Sequence, residues 1–175
     1  MSGPEVIDGP TQSGLPGSGP LLEVADVATS FRSPRGLVRA VDGVSFTLER
    51  GQCLGIVGES GSGKSVLSRS IMGLLPSTAE RSGRVTFEGR DISELSSEGY
   101  RELWGTEMAM VFQDPMTALN PVMKVGNQIT ESLRYHLDMD KSEARETAVA
   151  LLRAVRIPEA DKRFTSYPHE MSGGQ

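Results

Sequence analysis

The sequence predicts a mixed α/β domain in which strands come first and a helical insertion follows. Three observations carry that expectation. Between Leu22 and Leu48 apolar residues recur with period two, as half-buried strands require. An uninterrupted apolar run at 53–57 leads directly into a glycine-rich turn and an amphipathic segment. Beyond Asn120 the apolar spacing changes to that of a helix.

Twelve of the first twenty residues are Gly, Pro or Ser. Such a stretch buries too little to offset the entropy of ordering, so residues 1–20 are expected to form a disordered tail. Leu22 to Val27, and then Val44, Phe46 and Leu48, alternate with polar neighbours, the pattern of antiparallel strands with one wet face. Residues 53–57, Cys-Leu-Gly-Ile-Val, predict instead a central, parallel strand covered on both faces, with Cys53 a small packed hydrophobe. Leu67, Ile71, Leu74 and Leu75 then follow at helical spacing until Pro76 stops the run. Val85 and Phe87 mark another strand, and residues 108–112 are a second compact apolar run of strand length. Asn120 and Pro121 read as N-cap and first residue of a helix whose face carries Val122, Val125, Ile129 and Leu133. Asp140, with Glu143 three residues on, predicts a capping box. Behind it Ala144, Ala148, Leu151, Leu152 and Val155 form one stripe that ends before Pro158.

The composition narrows the function. With 175 residues, 37% of them apolar, the chain holds one globular domain or most of one. A net charge of −5 leaves no excess cation to coat a phosphate backbone, which disfavours nucleic acid as a partner. No apolar run approaches the roughly 18 to 20 residues that span a bilayer. One cysteine closes no internal disulfide, and two histidines are too few soft ligands for a zinc cage. A reducing, cytoplasmic setting fits, and the acidic, Gly/Pro-rich start does not resemble a signal peptide.

Chemistry enters at Gly58-Glu59-Ser60-Gly61-Ser62-Gly63-Lys64-Ser65, which matches G-x-x-x-x-G-K-[ST] between a strand and a helix. Glycines let the backbone curl so that successive N–H groups point at phosphate oxygens, and the helix N-terminus adds its positive end. Lys64 would neutralise the β- and γ-phosphates, and Ser65 would offer its hydroxyl to Mg²⁺. Glu59 sits at a variable position and has no catalytic role. No Asn-Lys-x-Asp run is present, which argues against a guanine nucleotide. Ser172, Gly173 and Gly174 form a second small nest able to hold an anion. His136 and His169 read as surface or loop residues.

Taken together, these motifs resemble the ATP-binding subunits of ABC transporters. The turn at 58–65 looks like their Walker A, Met171 to Gln175 looks like their LSGGQ signature with Met in place of Leu, and Phe112-Gln113-Asp114-Pro115 looks like their Q-loop. Two longer stretches, 112–121 and 167–174, are similar to the oligopeptide, dipeptide and nickel importer group. The resemblance covers residues 21–175. It implies an ABC-type P-loop NTPase: an antiparallel β subdomain and P-loop core at 21–112, a parallel-sheet core, and the Q-loop and helical subdomain at 113–175, with the C-terminal part of the core missing. It also implies two such domains joined head to tail, as a homo- or heterodimer. ATP would lie between one partner's 58–65 segment and the other's Ser172, Gly173 and Gly174, which touch the γ-phosphate. Gln113 would approach Mg²⁺ or the attacking water. An aromatic upstream would stack on adenine; Phe31 is the nearest one, its alternative being a strand residue packed on the core.

In that family the Walker B aspartate, the following glutamate and a switch histidine come after the signature, and the 175 residues contain none of them. Residues 108–112 followed by Gln113 and Asp114 imitate a Walker B strand, but Gln113 and Pro115 fit the Q-loop and no glutamate follows Asp114. The resemblance implies transmembrane permease subunits as partners, an extracytoplasmic solute-binding protein indirectly, and a peripheral place on the cytoplasmic face of the membrane. Peptide import is its most direct functional implication. A soluble ABC ATPase outside transport, and a nucleotide-binding module without catalysis, are the alternatives.

Overall fold

The computed structural model describes the backbone of residues 5–7 and residues 19–34, 36–114 and 118–175. The chain separates into two compact units, 1–103 and 104–175. Sequence reasoning places that division later, between 112 and 113.

The first unit is built on an antiparallel sheet of four strands in the order β3-β2-β5-β6, where β2 is Leu22–Ser33, β3 Gly36–Leu48, β5 Ala79–Phe87 and β6 Arg90–Asp91. The period-two pattern sets the register: Val24 stands opposite Phe46 on one side and Val85 on the other, and Leu22 lies between Leu48 and Phe87. Val24, Val27, Val41, Val85 and Ile92 are buried. Helix α1 (Lys64–Ile71) packs on β2 and β3, burying Leu67 and Ile71 as its spacing predicts. A polar clasp reinforces this packing, because the buried Thr29 hydroxyl donates to Ser70 Oγ at 3.2 Å. Arg81 adds a bond to the Ser70 carbonyl at 2.7 Å and one to the Tyr100 hydroxyl at 3.1 Å, and that hydroxyl donates to the Ile92 carbonyl. Tyr100 belongs to α2 (Ser97–Leu103), a short helix that the sequence reading does not predict.

Two expectations are corrected here. Residues 53–57 are not a doubly covered parallel strand: only Gly55–Val57 form β4, its one partner is antiparallel β1 (Glu5–Ile7), and Val57 and Cys53 are exposed. Among the described residues no parallel strand lies beside it, and burial alternates, with Leu54 and Ile56 half-buried, so it lacks the two-sided cover that an apolar run implies. The pairing with β1 also places Glu5–Ile7 in a strand within the stretch read as a tail, since an open strand edge offers unpaired N–H and C=O groups to any extended segment.

In the second unit α3 (Val125–His136), α4 (Lys141–Ala154) and α5 (Ala160–Thr165) enclose Ala148, Val149, Leu152, Ala160 and Phe164, with Ile129, Leu133 and Ile157 packed against them. Residues 108–112 form no strand: Met108 makes one isolated bridge to Trp104, and Val111 is 97% exposed. Helix α3 starts at Val125, later than Asn120 and Pro121 suggest. Asn120 Oδ1 accepts the Val122 N–H, and the Gln128 side chain bonds to Asn120 N, Asn120 O and Met123 O, holding a turn where a first helical turn was expected. The stripe on α4 also shifts: Val149 is buried, whereas Leu151 and Val155 are exposed.

Candidate functional site

The glycine-rich segment leaves β4 at Val57 and enters α1 at Lys64. Gly61 and Gly63 adopt φ of 83° and 97°, which L side chains rarely tolerate. Space adds a second constraint at 63, where a Cβ would stand 2.1 Å from the Ala40 carbonyl oxygen of β3. The backbone of β3 therefore presses on the loop and only glycine fits. Ser62 N–H donates to the Glu59 carbonyl at 3.2 Å and closes the turn.

Lys64 folds back over this turn. Its Nζ donates to the carbonyls of Gly58 and Glu59, each at 2.8 Å, and lies 3.4 Å from Ser62 Oγ. It forms no ion pair with any carboxylate among the described residues. At the start of α1 the amides of Lys64, Ser65 and Val66 have no intrahelical acceptor, whereas Leu67 N already bonds to Gly63 O at 2.8 Å. Donor amides, the positive end of a helix and an ammonium without counter-ion fit a polyphosphate. Ser65 is exposed on the first turn, a hard oxygen donor of the kind that Mg²⁺ takes.

The other predicted residues fall elsewhere. Phe31 is half-buried toward the end of β2, opposite Val38 and Ala79. Gln113 is exposed at a bend in the second unit, and Pro115 of the Q-loop stretch lies outside the described residues. Ser172, Gly173 and Gly174 are exposed at the end of the second unit, with open space where either glycine's Cβ would stand. The turn is closed by its own ends: Gln175 N–H donates to Ser172 O at 2.9 Å, and Ser172 N–H donates to Gln175 Oε1 at 3.2 Å. Ahead of it the 3₁₀ turn Pro168–Glu170 is fixed by the Tyr167 N–H, which donates to Glu170 Oε2 at 2.7 Å. His169 stacks on Tyr167 at 5.6 Å between ring centroids, and His136 ends α3 edge-on to Tyr135. No helix among the described residues is long and apolar enough to cross a membrane.

Sequence reasoning missed two contributors to these turns. Ala40 acts only through its backbone oxygen, so no motif announces it. Arg163, whose Nη1 donates to the Glu170 carbonyl at 3.0 Å, resembles any other surface arginine of a short helix.

A strand, a glycine-rich turn and a helix beside an antiparallel sheet, with a helical unit that ends in a second small glycine turn, are the parts of a nucleotide-binding cassette. Residues 41–175 match the ABC transporter family model, and the chain belongs to that family. It is 51% identical over 156 residues to the oligopeptide transport ATP-binding protein OppD of Bacillus subtilis, covering 88% of this chain and 44% of that protein. Identity to OppD of Salmonella typhimurium is 50% over 154 residues, covering 88% and 46%. The chain thus spans about half the length of the curated relatives it matches. Among solved structures the fold superposes with a TM-score of 0.74 on the dimeric, ADP- and Pi-bound cassette MJ0796, at 22% identity over 88% of this chain and 64% of that one.

Proposed function

We propose that this chain is the nucleotide-binding part of an ATPase subunit that energises import of peptides or a related solute. The carrying observation is the Lys64 ammonium, held over a donor-rich turn with no carboxylate among the described residues to neutralise it. The similarity to oligopeptide transport ATP-binding proteins supports peptide as the solute class. In this reading the amides of 58–65 and Lys64 grip the triphosphate of ATP, Lys64 exchanging its carbonyl partners for phosphate oxygens. Ser65 and Gln113 serve Mg²⁺, which when bound offsets the charge developing on the phosphates. Gln113 also orients the attacking water, and Phe31 packs against adenine. Ser172, Gly173 and Gly174 of a second ABC domain complete the site across a homo- or heterodimer. Closure is favoured because each nucleotide bridges two surfaces, and permease subunits convert that closure into transport. A solute-binding protein outside the membrane delivers the cargo, and the subunit works at the cytoplasmic face of the membrane.

Calorimetry of the full-length protein with MgATP tests the reading. Lys64→Ala should weaken binding by at least roughly a hundredfold, the loss of a charge-assisted contact in a donor-lined turn. Unchanged affinity would remove Lys64 from the site.

A further inference from the structure

Arg163 is partly buried, yet it forms no ion pair among the described residues. Its Nε is buried with no hydrogen-bond partner, and Nη1 makes one bond, to the Glu170 carbonyl at 3.0 Å. For stability alone this is a poor use of a guanidinium. An unpaired buried donor carries its full desolvation cost, and an apolar side chain of the same length would pack there without it. What the arginine does supply is a donor that ties α5 to the turn two residues before Ser172.

The helix that carries Arg163 is itself anchored to α3. Val125 N–H, at the start of α3, donates to the Ser166 carbonyl at 2.9 Å. Gly126 lets α3 lie against Phe164, since a Cβ there would meet the ring at 2.5 Å. Helix α5 is therefore fixed on α3, Arg163 reaches from it to Glu170, and the Glu170 side chain fixes Tyr167. Beyond Glu170, Met171 N–H donates to the Pro168 carbonyl at 3.1 Å and the nest closes on itself through Ser172 and Gln175, while a Cβ at Gly173 or Gly174 would meet nothing within 4 Å. We propose that Arg163 is a positioning residue, which sets the orientation of Ser172, Gly173 and Gly174 through the Glu170 carbonyl. The inference rests on the nucleotide-dependent pairing proposed above.

The test uses full-length protein and two readouts: MgATP affinity of the monomer, and the MgATP concentration at which it dimerises by light scattering. Arg163→Met should leave monomer affinity and thermal midpoint unchanged, or raise the midpoint, while dimerisation requires about tenfold more MgATP, the equivalent of one lost hydrogen bond. Arg163→Lys, which returns one donor, should restore dimerisation to within about threefold of the natural protein. The positioning role is overturned if Arg163→Met dimerises like the natural protein, if it loses its cooperative melt, or if Arg163→Lys is as impaired as Arg163→Met. Natural protein that binds MgATP without dimerising refutes the pairing itself, a result independent of Arg163.

Discussion

Gly63 shows how a single residue is constrained twice, by conformation and by a neighbour. Its φ of 97° disfavours any side chain, and the Ala40 carbonyl at 2.1 Å from the would-be Cβ is backbone, which cannot swing aside. Gly63→Ala should therefore destabilise the first unit by about 1–3 kcal/mol and weaken MgATP binding at least about tenfold, read by urea denaturation and calorimetry. A stable variant that binds normally would show that the loop can retreat from β3. The need for glycine was legible in the motif; the oxygen that enforces it comes from a strand more than twenty positions earlier, and local pattern is silent about it. Cys53 teaches the converse. Its apolar neighbours suggest burial, but burial depends on what covers the strand, and the thiol is exposed.

Elements whose determinants lie within a few residues follow the sequence closely. Helix α4 starts at a complete capping box: Asp140 Oδ1 accepts the N–H groups of Ser142 and Glu143 at 2.7 and 2.9 Å, and Glu143 Oε2 accepts the Asp140 N–H at 3.0 Å. Asp140→Ala should cost about 1 kcal/mol, seen as a lower urea midpoint with unchanged slope, and an unchanged midpoint would mean the helical unit is held by its core alone. At Asn120 the local signal is met, since Asn120 Oδ1 accepts the Val122 N–H, but the Gln128 side chain ties up Asn120 N and O and Met123 O, and the helix proper starts only at Val125. The α4 stripe errs for a related reason. Ala144, Ala148 and Leu152 fix one line, but whether Val149 or Leu151 widens it depends on where Phe164 and Ile129 lie.

At the scale of the whole molecule, several apolar side chains among the described residues are exposed. Val57 is 44%, Phe112 43% and Val111 97% exposed, and β4 has only three paired residues. Open strand edges and bare branched residues favour association. Expressed alone, the 175 residues should bind a hydrophobic dye and scatter light in a concentration-dependent way, both reduced by Val111→Ser with Phe112→Ser. Monodisperse, dye-silent protein would show that these residues are covered in solution.

Sequence by itself determined the glycine-rich turn at 58–65, the helix behind it and the capping box at Asp140. Each of these rests on backbone conformations or hydrogen bonds that close within a few residues. Only the tertiary structure decided that 53–57 pairs with β1, that 108–112 makes no strand, that Ala40 seals Gly63, and that Arg163 reaches Glu170. Those outcomes depend on which surfaces meet, and apolar contact is non-directional, so a pattern of hydrophobic residues says that a face wants cover without saying what supplies it.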